Sequence, residues 1–74
     1  MDDLVEALSA AAHVGWMEGK RAQGKESRVS EWGEELMVPY DQLTEQAKGL
    51  DRSAVESVVA AVERAGYKLV KAGE

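Results

Sequence analysis

With 74 residues, no cysteine and a single histidine, the chain makes at most one domain, residues 1–74, and lacks the residues for disulfides or a zinc site of nitrogen and sulfur ligands. A chain of this length buries only about 60% of the surface that its unfolded form exposes, so we expect a free energy of unfolding on the order of a few kcal/mol. A formal charge of −5 argues against nonspecific binding to nucleic acid or to an anionic membrane, since both require a positive field.

The beginning of the chain is acidic, Met1-Asp2-Asp3, where a secretory signal peptide would be basic. The uncharged stretch from Ala7 to Met17 is interrupted by His13 and is too short to span a bilayer. The absence of cysteine is compatible with a reducing compartment. We therefore expect a cytoplasmic protein with no membrane partner.

The first predicted element is a helix from Asp3 to Ala22. At 100° per residue, its narrow apolar face consists of Leu4, Leu8, Ala11, Ala12, Gly15 and Gly19. Val5 and Trp16 lie at the margin of this face. Because each glycine costs a helix roughly 1 kcal/mol relative to alanine, we expect another helix or segment to approach closely there. Gly24 ends the helix or begins the loop.

The middle of the chain has no helical period. The polar segment from Gln23 to Glu35 predicts a loop. In the apolar run from Leu36 to Tyr40, Pro39 favours an extended conformation for Val38. We expect this run to cross the core as an extended, strand-like piece.

After this run, Thr44-Glu45-Gln46 is typical of a helix N-terminus. The sequence predicts one short helix from about Thr44 to Lys48, ended by Gly49. Asp51 or Ser53 then caps a longer helix.

The longer helix has one broad apolar face, made of Ala54, Val55, Val58, Val59, Ala61, Val62 and Ala65. Gly66 supplies the left-handed position at its end, and the alternation from Tyr67 to Val70 predicts a short edge strand. The predicted fold is mainly α, with two main helices, one short helix and short extended segments, and its core covers about residues 4–70.

Several features occur in a fixed order. His13 and Trp16 form an H-x-x-W arrangement, and the run from Leu36 to Leu43 follows. The remaining pieces are Lys48, Leu50-Asp51-Arg52 and the helix end Ala65-Gly66-Tyr67. In order and spacing, over about residues 7–70, these pieces resemble the ryanodine-receptor repeat (RyR) domain, found as tandem pairs in the receptors and singly in bacterial and phage proteins. The loop Lys25 to Trp32 departs from the family's usual aromatic and glycine residues.

The resemblance implies a compact helical fold and a binding role. In the tandem receptor repeats, paired domains hold an adenine nucleotide, and the tryptophan that matches Trp16 stacks on it. For a single-repeat chain, this implies that two copies pair to make an equivalent cleft. We therefore expect a homodimer or a higher homo-oligomer.

The first helix also offers a candidate site on its own residues. His13, Trp16 and Lys20 are spaced three and four apart, so they share one strip of the helix. An indole face can stack on a base, an imidazole can meet its edge, and cationic side chains can meet a phosphate. The candidate ligand-binding residues are Trp16, His13, Lys20, Arg21, Arg28, Tyr40 and Arg52.

Each of these residues also has a purely structural interpretation. Trp16 can be a core residue with His13 as its hydrogen-bonded neighbour. Tyr40, after Pro39, can pin a small core. Arg52 can pair with nearby carboxylates at the surface, and Trp32, in an acidic loop, can fold back as a lid or form a contact surface.

Catalysis is not expected. The chain has one histidine, no cysteine and no glycine-rich phosphate loop, and its 14 carboxylates make accidental acidic pairs inevitable. No cofactor or metal is implied. We expect a binding module for a nucleotide-derived small molecule that senses or sequesters a nucleotide signal. The alternative is a protein-interaction or oligomerisation module that uses Trp32, Met37 and the Gly15–Gly19 face.

Overall fold

The computed structural model describes residues 2–72, and two long helices dominate it. Helix α1 is Asp2–Ala22 and helix α2 is Glu45–Arg64, with a 3-10 turn at Tyr40–Gln42 between them. Trp16 lies near Ala47, whereas Leu4 lies near Val59, so the helices pack antiparallel. Within residues 2–72 there is no strand, only an isolated antiparallel bridge between Val29 and Glu35. The prediction of a mainly helical fold is confirmed.

Helix α1 has the predicted bounds, but a different face is buried. Ser9, His13 and Met17 are buried, whereas Gly15 and Gly19 are exposed. No atom lies within 4 Å of the position that a Cβ would take at either glycine, so the expected close approach does not occur in this chain. The prediction failed because the segment that covers α1 attaches through a hydrogen bond at His13, which lies nearly on the opposite side of the helix from the predicted face.

Helix α2 is one continuous helix, not a short helix followed by a longer one. Thr44 is its N-cap, and the Thr44 hydroxyl accepts a hydrogen bond from the backbone N–H of Ala47. Asp51 and Ser53 therefore lie inside the helix and cap nothing. Gly49 does not end it because its φ is not positive and the buried Ala47 holds this turn against the core. The separate short element is the 3-10 turn.

Both helix ends agree with the glycine predictions. Gly24 has φ +80° just after α1, and Gly66 has φ +93° just after α2, which is the left-handed conformation that glycine adopts without strain. The edge strand predicted from Tyr67 to Val70 does not form, and these residues are exposed. Among the residues that the structure describes, no strand lies beside them with which their alternating pattern could pair.

The segment from Leu36 to Val38 is half-buried, but it bends at Met37 and Val38 and does not cross the core as a strand. The backbone N–H of Met37 donates to the Glu35 carboxylate, so it is not available to a ladder. The buried apolar side chains of the described residues are Met17, Leu43, Ala47, Val55 and Val59. Ser9 is also fully buried, and its hydroxyl has no hydrogen-bond partner within residues 2–72.

Candidate functional site

His13 joins three parts of the chain. Its ring is only 3% exposed, with Nε2 2.8 Å from the carbonyl oxygen of Val38 and Nδ1 3.2 Å from Oδ2 of Asp51 on α2. Burial raises the pKa of the Asp51 carboxyl, and the nearby His13 acts in the opposite direction. Both ring nitrogens of His13 therefore face protein oxygens, and neither is open to a ligand.

Trp16 lies beside His13 on α1. The two rings are stacked, with centroids 5.5 Å apart and planes 23° from parallel. The ammonium group of Lys20 lies 5.9 Å from the centroid of the indole. The strip of His13, Trp16 and Lys20 predicted from their spacing is thus present, and the indole is half-buried at its centre.

A first cavity of about 170 Å³ opens at Trp16. Its lining residues are His13, Trp16, Leu36, Leu43, Ala47, Leu50 and Asp51. Most of this wall is aliphatic, and the His13 and Asp51 pair supplies the polar groups. A flat apolar ring that can also donate a hydrogen bond at its edge, to the carboxylate of Asp51, fits such a wall.

A second cavity of about 280 Å³ adjoins the first, because Leu36 and Leu50 line both. Its other lining residues are Arg28, Val29, Ser30, Glu31 and Trp32. Trp16 therefore lines the first of two adjoining cavities, and Trp32 lines the second. The spacing of the two tryptophans along the chain does not predict that they line adjoining cavities.

Trp32 is held by its edge. Its Nε1 donates to Oε1 of Glu34 at 2.7 Å, and the indole remains 39% exposed. Glu34 also accepts hydrogen bonds from the backbone N–H of Thr44 at 3.0 Å and from the Thr44 hydroxyl at 2.6 Å. The hydrogen bonds from Thr44, followed by that from Trp32, lower the pKa of Glu34. Trp32 is thereby fixed to the beginning of α2.

Glu35 orders the rest of the loop. Its carboxylate accepts hydrogen bonds from the Ser27 hydroxyl, from the backbone N–H of Arg28 at 2.8 Å and from that of Met37 at 3.0 Å. These bonds, the one from Ser27 first, lower the pKa of Glu35. The predicted loop is therefore irregular but tightly hydrogen-bonded.

Arg52 and Tyr40 belong to a separate cluster. Arg52 Nε donates to the carboxylate of Glu6, and Arg52 Nη1 donates to Oε2 of Glu45 at 2.7 Å. The hydroxyl of Tyr40 donates to Glu6 at 3.1 Å, and Lys48 Nζ lies 5.4 Å from the Tyr40 ring. Hydrogen bonds from Arg52 hold the pKa of Glu6 below its usual value. The guanidinium of Arg52 is thus occupied by carboxylates, as in the surface-pairing interpretation.

The remaining candidates lie around the two cavities. Arg28 lines the second cavity, and Lys20 lies over Trp16. Arg21 is exposed in the last turn of α1 and lines neither cavity. Reasoning from the sequence missed Leu50 and Leu36 as walls. The spacing of Trp32 and Glu34, two residues apart, was the available signal for a tethered indole.

Within residues 2–72, no group of three or more histidine, aspartate or glutamate side chains could hold a metal ion. Neither helix combines the length and the apolar character that crossing a membrane requires.

Comparison with known proteins gives one finding. The family model described as RyR domain matches residues 1–71. No curated protein and no solved structure matches the chain.

Proposed function

The chain belongs to the RyR domain family, and from this premise we propose that it is a non-catalytic module that binds a nucleotide-derived small molecule beside Trp16. The observation that carries the proposal is a half-buried indole at the mouth of a mostly aliphatic cavity, with an ammonium group over the ring. Acting in the cytoplasm of a bacterium, or of a phage-infected cell, such a module senses or sequesters a nucleotide signal.

In the proposed complex, a base stacks on Trp16 and its edge meets the wall formed by Leu36, Leu43 and Leu50. Lys20 is close enough to the indole to meet a phosphate attached to that base. His13 is a positioning residue, because its nitrogens are engaged by Val38 and Asp51 and its ring supports the indole.

The test is a titration of the purified chain with mono-, di- and cyclic nucleotides, followed by tryptophan emission and thermal unfolding. A ligand that binds only the folded chain raises the melting temperature, and the rise grows with ligand concentration. Trp16→Ala should abolish the rise, whereas Tyr67→Ala, which removes an aromatic ring that is 73% exposed away from the cavity, should not. If no nucleotide changes either signal at millimolar concentration, the proposal is wrong.

A specific observation favours a second candidate, self-association. On the side of the helix pair away from the loop lies a groove of about 350 Å³ whose lining is entirely aliphatic: Leu8, Ala12, Ala54, Val55, Val58, Val59, Val62 and Leu69. The exposed Gly15 and Gly19 continue this surface along α1. A second copy of the chain would meet no like charge there, which suits a homodimer.

This second candidate uses the Gly15–Gly19 face together with the groove, whereas Met37 is half-buried and Trp32 lies by the other cavity. Solution mass, measured with and without nucleotide, is the test. A concentration-dependent dimer that Val58→Lys dissociates would support it, and a monomer at millimolar concentration under both conditions would contradict it.

A further inference from the structure

We infer that Trp32 provides a second stacking subsite, and that the ligand class is a molecule with two flat rings joined by an anionic linker, such as a dinucleotide. This inference rests on the proposed nucleotide site at Trp16 and extends it. It specifies which part of a ligand each cavity takes.

The two cavities are neighbours. Leu36 and Leu50 line both of them, Trp16 lines the first, and Trp32 lines the second. The cavities, of about 170 Å³ and 280 Å³, are each smaller than the roughly 300 Å³ at which ordinary ligand sites begin. A ligand that extends past Leu36 and Leu50 into both cavities uses both volumes, whereas a mononucleotide leaves one of them to water.

Trp32 is suited to stacking because its orientation is already fixed. Its ring nitrogen is bound by Glu34, and Glu34 is bound in turn by two groups of Thr44 at the beginning of α2. The indole nevertheless remains 39% exposed. A ring tethered by its edge loses little conformational freedom when a second ring covers its face, so little of the stacking energy is lost.

The charges indicate where the anionic linker lies. Lys20 lies over Trp16, and Arg28 lines the second cavity. Glu34 and Glu35 are both occupied by hydrogen bonds from the loop and from Thr44. Glu31 also lines the second cavity, and its carboxylate disfavours a terminal phosphate there. The end of the ligand at Trp32 is therefore a ring, and the phosphates lie toward the basic side chains.

Two single-tryptophan variants make the inference testable, since the chain has only two tryptophans. In Trp32→Phe, emission reports on Trp16 alone, and in Trp16→Phe it reports on Trp32 alone. The probes are adenosine monophosphate and the dinucleotide diadenosine diphosphate, in which two adenosines are joined by a pyrophosphate. We expect the dinucleotide to change the emission of both indoles, and the mononucleotide to change that of Trp16 only.

Removal of the second ring provides the affinity test. Since stacking of one base on an aromatic side chain contributes roughly a fivefold to hundredfold factor in affinity, Trp32→Ala should weaken dinucleotide binding by that factor. Binding of the mononucleotide should stay within about twofold of that of the unchanged chain, and Tyr67→Ala should alter neither. Circular dichroism tests whether the Trp32→Ala variant is folded. If that variant is unfolded, the emission of Trp32 in the Trp16→Phe variant decides whether the second subsite exists.

The outcomes separate the two proposals. If both probes bind with similar affinity and the emission of Trp32 never changes, the second subsite is wrong and the Trp16 site stands. If neither probe changes either indole, the nucleotide site itself is wrong, and the second subsite is wrong with it.

Discussion

The two long helices have sides of opposite character. On the loop side, the side that residues 25–43 cover, the buried groups include polar ones, and His13 is paired with Val38 and Asp51. On the groove side, the side of the aliphatic groove, Val58 is 62% exposed and Leu69 is 51% exposed. The more hydrophobic side is therefore the less covered one. On helix α1, the buried face is the one that carries His13 and its hydrogen bond to the covering segment, not the apolar face predicted from the sequence.

The covering segment explains the difference. Two carboxylates, Glu34 and Glu35, organise its backbone. A segment of this kind is fixed in place where its donors and acceptors find partners, and the groove side offers only methyl and methylene groups. Four predictions test the contrast between the two sides, beginning with the largest expected effect.

Removal of the His13 ring should destabilise the fold most. His13→Ala deletes two contacts at a buried position and leaves Asp51 without its partner, and breaking a buried pair costs roughly 3–5 kcal/mol. Because the Asp51 side chain is 26% exposed, we expect the lower end, about 3 kcal/mol. Chemical denaturation measures the loss. If Val58→Ala on the groove side lowered the free energy of unfolding by the same amount, the two sides of the helix pair would not differ as described.

Filling the glycine positions of α1 should stabilise a monomer. Gly15→Ala adds a methyl group where nothing lies within 4 Å and removes a helix-interior glycine, a gain of about 1 kcal/mol. Gly24→Ala is the matched control, because φ is +80° there and the same change should destabilise. If Gly15→Ala destabilises the chain and lowers its solution mass, a second copy approaches α1 at this position.

A charge on the groove side should have little effect on a monomer. Val58→Lys changes a residue that is 62% exposed, and surface changes of this kind usually remain within about 0.5 kcal/mol. Thermal unfolding of the monomer should therefore be nearly unchanged. A concentration-dependent loss of melting temperature would instead show that the groove is covered in a dimer.

Acidification should lower the free energy of unfolding, with the smallest effect per residue of the four predictions. The carboxylates that lose their charge are exposed, and solvent screens their interactions. Glu6, Glu34, Glu35 and Glu45 have pKa values below the ordinary 4.5, chiefly through hydrogen bonds. Their stabilisation is present above pH 4.5 and is lost as the pH falls through their lowered values.

Asp51 acts in the opposite sense, because burial raises its pKa above 3.8, so that its contribution is lost as the pH rises through the raised value. Because the four glutamates outnumber Asp51, the melting temperature should fall as the pH is lowered from about 5 to about 3. The melting temperature of the Glu34→Gln variant should fall less steeply over the same range. A melting temperature that does not fall over this range would contradict the assignment of these hydrogen bonds.

Local signals predicted the local features. The bounds of α1, the irregular loop from 23 to 35, and the left-handed positions at Gly24 and Gly66 follow from period and residue type. The strip of His13, Trp16 and Lys20 follows from helical spacing. Features of this kind depend on residues a few positions apart, and a single sequence records them directly.

Long-range contacts decided the rest. The buried face of α1 depends on Val38 and Asp51, which lie 25 or more residues away from His13, and hydropathy contains no term for such bonds. Gly49 is by residue type a plausible helix terminator, but α2 continues through it, and Ala47 two residues earlier is buried in the core. The adjoining cavities share Leu36, which precedes the 3-10 turn, and Leu50, which lies in α2, so they too depend on residues that are distant in the sequence.

The carboxylate of Glu34 makes a loop and a helix mechanically dependent on each other. It holds the edge of one indole and, at the same time, the amide and hydroxyl of Thr44, the residue that starts α2. Fraying of that helix terminus and swinging of the indole are consequently one event, not two. Hydrogen exchange at the Thr44 amide reports how often the loop opens.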